Sequence, residues 1–200
     1  MKTSTFSKLT LIVVALTVSL FANAQVKFGP IAGNNLANVG GDVISENVTK
    51  IGFHVGGIVE ISVNDNFMVA PGIIYSMKGT RIKSNSDFKT NLNYLEIPVN
   101  AKYKLESGLN FFAGPYIGIL MSAKSTHGTK DVDVKEFFQS TDIGVNIGLG
   151  FDRESGFGIS AQYGLGISNI NKKDFGSIPS TSTNTNNCIG ISIRYMLGDN

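Results

Sequence analysis

The sequence NYLEIPVNAKYKL, residues 93–105, alternates apolar and polar side chains along its whole length. From residue 95, the odd positions carry Leu, Ile, Val, Ala, Tyr and Leu, whereas the even positions include Glu96, Lys102 and Lys104. Because successive residues of a β-strand point to opposite faces, this strand has one wholly apolar face. A half-buried strand of a soluble protein has the same pattern, so the rest of the chain must show which solvent the apolar face meets.

The same period of two recurs in seven further stretches, at about 26–36, 50–63, 67–81, 109–122, 141–153, 157–167 and 188–197. Three connections are tight turns, at 64–66, 106–108 and 154–156, and four are long and polar, at about 37–50, 82–91, 123–140 and 171–187. No long segment after residue 25 has helical periodicity. Short turns at one end and long loops at the other are typical of outer-membrane barrels, whose turns face the periplasm. We predict an all-β fold, an eight-stranded antiparallel up-and-down transmembrane β-barrel.

The first 24 residues have the features of an export signal. Lys2 and Lys8 precede an apolar run at residues 9–22, and Ala22-Asn23-Ala24 closes the segment. This pattern predicts a signal peptide at 1–24, cleaved after Ala24, and a barrel domain at 25–200 in the outer membrane. The apolar run is shorter than the roughly 20 residues that a spanning helix needs.

Charge and cysteine content exclude several classes of function. The chain has 17 basic and 15 acidic side chains, and two of the lysines lie in the predicted signal peptide. The remainder is balanced, so the sequence favours no nucleic-acid partner. The single Cys188 allows no internal disulfide and no cysteine metal cluster. We expect no cofactor and no metal.

The two faces differ in bulk as well as polarity. The apolar face carries Phe, Tyr, Ile, Leu and Met, and the opposite face is rich in Gly, Ser, Asn and Gln. An eight-stranded barrel has a narrow interior, which fits the smaller set. Closure also satisfies every backbone polar group within the hydrocarbon layer. We therefore expect the apolar face to meet outer-membrane lipid.

Seven aromatic residues of the apolar face lie at the strand ends nearest a tight turn or a terminus: Phe28, Phe67, Tyr103, Phe111, Phe151, Phe157 and Tyr195. In an up-and-down barrel those ends share one level. We expect these residues to form an aromatic belt at the inner membrane–water boundary. Phe53 and Tyr75 are candidates for a thinner outer belt.

The inward charges need partners, because burying a lone charge is costly. Lys27, Glu60 and Arg194 fall on adjacent strands once the last strand closes on the first, and we expect one network there. Lys78 and Glu96 should be close across the hairpin at 82–91. The alternative is that lumen water solvates each charge separately.

Two histidines could suggest chemistry. His54 faces inward, with Ser76 as a candidate neighbour, and His127 shares a loop with Asp131 and Asp133. A pore-lining His is more often a hydrogen-bonded filler, and three loop residues do not define a coordination shell. We expect no catalytic residues.

Four segments carry a family resemblance: GPIAGNNL at 29–36, YLEIPV at 94–99, GPY at 114–116 and ISIRY at 191–195. Together with the signal peptide, they resemble the PorT-like outer-membrane β-barrel family of Bacteroidota, over essentially all of residues 25–200. The resemblance implies an eight-stranded outer-membrane barrel. Some relatives take part in protein secretion linked to gliding, and no catalytic set comes with the resemblance.

Three hypotheses for function follow. The first is a non-enzymatic integral outer-membrane barrel that presents four surface loops and has a structural or interaction role. On this hypothesis its partner is an envelope protein, and it acts as an accessory of protein secretion. The second is a soluble exported barrel that binds a small apolar ligand. The third is a lipid A-modifying outer-membrane enzyme.

Overall fold

The computed structural model describes residues 25–41, 47–82, 88–172, 174–175, 178–179 and 183–198. Eight long strands build the barrel: β1 (Val26–Gly41), β2 (Asn47–Ser62), β3 (Phe67–Ile82), β4 (Phe88–Lys104), β5 (Leu109–His127), β7 (Thr141–Asp152), β8 (Phe157–Gly166) and β11 (Asn184–Tyr195). The shorter elements are β6 (Lys130–Asp133), a single 3-10 turn (Lys135–Phe137), β9 (Asp174–Phe175) and β10 (Ile178–Pro179).

The eight long strands form one closed antiparallel sheet. Each pairs with its neighbour in chain order, and β1 pairs with β11, so the last strand closes on the first. Ile31, for example, lies opposite Arg194 across this seam. The predicted closed barrel is confirmed.

The apolar face points outward. On β4, Ile97 and Val99 are 37% and 44% exposed, whereas Glu96 and Lys102 are 8% and 3% exposed. The polar residues therefore fill the barrel and the bulky apolar residues cover it. This orientation contradicts the hypothesis of a soluble barrel with an apolar interior.

Tight turns stand where the sequence predicts them. Asn64 Oδ1 accepts hydrogen bonds from the backbone N–H groups of Asn66 and Phe67, at 3.1 and 2.8 Å. Gly108 and Gly156 adopt φ of 90° and 86°, a left-handed conformation that favours glycine. These local interactions reverse the chain within a few residues.

The long connections are shorter than the sequence predicts. β1 continues to Gly41, β3 continues to Ile82, and β4 begins at Phe88. The predicted loop at 123–140 contains the end of β5, which forms a hairpin with β6, and the 3-10 turn. The outward positions near the loop-bearing end are polar, so the apolar–polar alternation that predicts a strand is lost there. Parts of these connections, including 42–46 and 83–87, lie outside the described residues.

The inward face is not polar throughout. A β-bulge at Met121 shifts the register, because Asn93 pairs with Ser122 whereas Tyr94 pairs with Leu120. Near the loop-bearing end of the barrel, six buried residues form a cluster that we call the apolar plug: Val39, Leu92, Tyr94, Leu120, Ala123 and Ile170. Val134 and Phe138 pack against it. The apolar plug closes this part of the barrel by hydrophobic contact.

Candidate functional site: the closed lumen

Four charged residues from four strands meet inside the barrel near the tight turns. Lys102 Nζ lies 2.5 Å from Glu60 Oε1 and 2.5 Å from Asp152 Oδ2. Arg194 pairs with Asp152, and its Nε lies 3.9 Å from Glu60 Oε1. We call Glu60, Lys102, Asp152 and Arg194 the inner charge cluster. Its two cations and two anions balance, which offsets the loss of hydration on burial.

A second cluster lies farther from the tight turns and adjoins the apolar plug, since Lys78 is the register partner of Leu92. Lys78 Nζ is 2.5 Å from Glu96 Oε1 and 3.6 Å from Asp142 Oδ2. The Lys78 ammonium also lies 4.4 Å from the centroid of the Tyr116 ring, within cation–π range. Asp142, which is fully buried, accepts hydrogen bonds from Asn186 at 3.0 Å and from the Tyr116 hydroxyl at 3.3 Å. We call Lys78, Glu96 and Asp142 the outer charge cluster.

His54 belongs to a third buried group, together with Asn35, Ser76 and Ser192. Its Nδ1 is 2.9 Å from Asn35 Oδ1, and its Nε2 is 2.8 Å from Ser192 Oγ. Ser76 lies opposite His54 in the register, but its hydroxyl accepts a hydrogen bond from Asn35. Asn35 and Ser192 thus occupy both ring nitrogens. This arrangement is typical of a histidine that fills the interior of a protein and has a structural role.

Two cavities of very different size adjoin the buried groups. The cavity beside His54 and Lys78 measures about 20 Å³, room for about one water molecule. A much larger cavity of about 1010 Å³ opens at the tight-turn end, where Lys27, Lys104 and Arg153 line it. Glu60 and Asp152 of the inner charge cluster also line this cavity. It is an open vestibule that reaches as far as the inner charge cluster.

The structure brings together several of the charges that the sequence singled out. Lys78 contacts Glu96 directly, and Glu60 and Arg194 lie at the edge of ion-pair range. Lys27 lies opposite Glu60 in the β1–β2 register and lines the vestibule.

Sequence reasoning missed Lys102, Asp152 and Asp142 as partners of these charges. All three are inward positions by the period of two. Lys102 and Asp152 also precede the tight turns at 106–108 and 154–156 by only a few residues, as Glu60 precedes 64–66. Their common distance from the turns was the signal that could have placed Lys102 and Asp152 beside Glu60.

The seven residues predicted for the inner aromatic belt are all outward and exposed. Phe67, Tyr103 and Phe111 are successive register partners across β3, β4 and β5. Tyr195 pairs with Phe157 in the same way. Several members of the set thus form continuous rows at the tight-turn end.

Phe53 and Tyr75, the candidates for the outer belt, lie with their ring centroids 5.9 Å apart.

His127, the second histidine, packs against an aromatic ring. His127 stacks on Phe88 with a centroid distance of 4.0 Å. Asp131 accepts a hydrogen bond from the Thr126 hydroxyl, and Asp133 accepts one from the Lys135 backbone N–H. Within the described ranges, no three His, Cys, Asp or Glu side chains are grouped so that they could hold a metal ion.

No helix among the described residues is long and apolar enough to cross a membrane.

A closed barrel with an apolar exterior and a charged interior defines the class of integral outer-membrane proteins. The model of one family, the outer membrane protein beta-barrel domain, matches residues 17–172. The chain belongs to this family. Family and fold together support localisation in the outer membrane.

Three solved structures are similar to the chain, and the first of them shows the same fold. Neisserial surface protein A (NspA) is 16% identical, covers 84% of this chain and 96% of its own, and gives a TM-score of 0.54. Ail, the attachment invasion locus protein of Yersinia pestis, is 14% identical, with coverages of 86% and 99% and a TM-score of 0.49. The outer membrane protein AlkL, solved in DMPC bilayers, is 14% identical, with coverages of 86% and 90% and a TM-score of 0.40. No curated protein gave a match.

Proposed function

We propose that this protein is a non-enzymatic outer-membrane barrel that stays closed to solutes and acts through the surface at its loop-bearing end. One observation carries this proposal: charged, polar and apolar side chains fill the lumen from the tight-turn end to the loop-bearing end. The inner charge cluster lies at the tight-turn end, and the group around His54, the outer charge cluster and the apolar plug adjoin one another toward the loop-bearing end. Narrow eight-stranded barrels are filled in this way by their own side chains.

The geometry around His54 supports a non-enzymatic role. A general base must reach its substrate, directly or through one water molecule. His54 is 5% exposed, and the adjoining cavity of about 20 Å³ has no room for a lipid or sugar substrate. The loop-bearing end therefore remains the surface through which a partner would be recognised, in keeping with the general role of loops in binding.

Liposome swelling tests the closed lumen. The protein is reconstituted into vesicles and challenged with a small sugar, beside empty vesicles and vesicles with a large general porin. We expect swelling at the rate of empty vesicles. Sugar entry at a rate approaching that of the porin would contradict the proposal.

Mass spectrometry of lipid A from a deletion strain tests the non-enzymatic role. A lipid A mass that differs from that of the parent strain would indicate an enzyme.

The more specific role rests on the resemblance of segments such as YLEIPV, residues 94–99, to PorT-like barrels of Bacteroidota. We propose that the protein is an accessory of protein secretion with an envelope protein as partner. Deletion of the gene should then reduce specific secreted proteins, with complementation by the intact gene as control. An unchanged set of secreted proteins would argue against this role.

Export by a cleaved signal peptide is part of the same proposal. The intact mass of the protein from outer membranes should correspond to a chain that begins at Gln25. A mass that includes residues 1–24 would contradict cleavage after Ala24.

A further inference from the structure

Two cations stand side by side on the outer surface of the barrel at its loop-bearing end. Arg81 of β3 and Lys89 of β4 are direct register partners, and both are exposed. Lys124 of β5 is exposed nearby, since it pairs with Asn91, two residues from Lys89. We call Arg81, Lys89 and Lys124 the basic rim.

The basic rim lies just beyond the apolar surface. The last fully apolar row across three strands consists of Tyr75, Leu95 and Ile119, and the next row consists of Met77, Asn93 and Ser122. The row after that pairs Asn91 with Lys124, and the following one pairs Arg81 with Lys89. Outward side chains recur every second residue along a strand. The first cation therefore lies one outward position beyond Asn93. We expect lipid headgroups to adjoin the hydrocarbon layer at this level.

The pair of Arg81 and Lys89 is not compensated by a register partner. Like charges directly opposite each other on two strands are destabilising. The other partner of Arg81 is Val48 and the other partner of Lys89 is Thr126, so none of their partners in the described residues is acidic. A bound anion between the two side chains would replace repulsion by attraction.

Lys124 differs, because Asp133 of β6 lies opposite it. Asp133 also accepts the hydrogen bond from the Lys135 backbone, and Asp131 is occupied by Thr126. Both carboxylates are on the far side of β5 from Arg81 and Lys89. The positive charge of the basic rim is therefore concentrated at the β3–β4 pair.

We propose that the basic rim binds the phosphate-bearing sugar headgroup of an outer-leaflet glycolipid of the lipid A type. The guanidinium of Arg81 can engage a phosphate in bidentate fashion, and the Lys89 ammonium adds a point charge. A lipid fits better than free phosphate because the surface is continuous: acyl chains lie on the apolar rows while the phosphate reaches the cations. This inference rests on the proposed placement of the loop-bearing end at the outer surface, and it names a ligand for that surface.

Retention of lipid A by the full chain in nanodiscs tests the proposal. Discs of phosphatidylcholine with a minor fraction of bisphosphorylated lipid A are assembled, the protein is exchanged into an excess of phosphatidylcholine at low salt, and the lipid A retained per barrel is measured. Each cation near a charged lipid surface contributes about a fivefold gain in affinity, so the Arg81→Gln/Lys89→Gln variant should bind lipid A roughly thirtyfold more weakly. A matched variant, Lys104→Gln/Arg153→Gln, removes one Lys and one Arg at the vestibule and should retain lipid A like the unmodified chain.

Three results would overturn the proposal: no enrichment of lipid A by the unmodified chain, equal losses in both double variants, or displacement of lipid A by an equal concentration of inorganic phosphate. Heat-modifiable gel mobility verifies that each variant is a folded barrel, as expected for exposed positions. Sugar entry in the swelling assay would refute the closed lumen without altering lipid A retention, so failures of the two proposals are distinguishable.

Discussion

Lys102 Nζ lies 2.5 Å from Glu60 Oε1, although β4 and β2 are not neighbours in the sheet. β3 lies between them, so the two side chains meet through the interior of the barrel rather than along its wall. Asp152 of β7 reaches the same ammonium from a further strand. A closed and narrow cylinder brings side chains from such non-adjacent strands together. The inner charge cluster therefore joins strands that share no backbone hydrogen bonds.

Replacing Lys102 by Met should destabilise the barrel strongly. The substitution leaves Glu60 and Asp152 inside with Arg194 as the remaining cation of the cluster, and breaking a buried ion pair from one side costs about 3–5 kcal/mol. Urea unfolding in lipid vesicles measures the free energy of unfolding. Lys104→Met, two residues along the same strand at the vestibule, should change it by no more than about 0.5 kcal/mol. Equal stabilities of the two variants would refute the role assigned to Lys102.

The outer charge cluster should show energetic coupling between Lys78 and Glu96. Lys78→Met leaves two buried carboxylates, whereas Glu96→Gln leaves Lys78 with Asp142 at 3.6 Å, so the lysine variant should be the less stable. The double variant should be less destabilised than the sum of the singles, by about 0.5–3 kcal/mol. Lys78→Met combined with Glu106→Gln, at a distant turn, serves as the additive control. Additivity of the Lys78 and Glu96 variants would mean that the ion pair contributes nothing.

The small residues of the inner face should be intolerant of enlargement. A Cβ on Gly33 would lie 2.0 Å from the Ile191 carbonyl oxygen and 2.7 Å from His54, so Gly33→Ala requires local displacement. Such overpacking typically costs about 1–3 kcal/mol. Gly57 is on the outward face and its Cβ would have no atom nearer than 3.9 Å. The Gly57→Ala variant should unfold at the same urea concentration as the unmodified protein. If the urea midpoint of unfolding of the Gly33→Ala variant does not fall, the inner face around Gly33 is not closely packed.

The sequence predicts what is local. Alternation identified the eight strands and the face on which Leu95 and Glu96 lie, because one side chain in two meets a different environment. It could not identify the partners of Lys78 across the lumen, since these depend on the strand register and tilt of the closed barrel. Asp142 thus contacts Lys78 without any signal in the pattern around either residue.

The apolar plug was missed for a different physical reason. Leu92 and Ala123 lie where the strands were expected to have ended, and the bulge at Met121 reverses the alternation of β5. A local count of odd and even positions therefore fails beyond this point. Ile170 follows β8 and reaches the plug from a connection, which no strand pattern predicts.

Photolabelling tests the outward orientation of the apolar face most directly. A diazirine probe confined to the acyl chains of lipid vesicles is activated around the folded, unmodified protein, and labelled positions are mapped by mass spectrometry. We predict labels on Leu95, Ile97 and Val99 and none on Glu96 or Lys102. Labels on the even positions of β4, or protection of all three odd ones, would contradict the account.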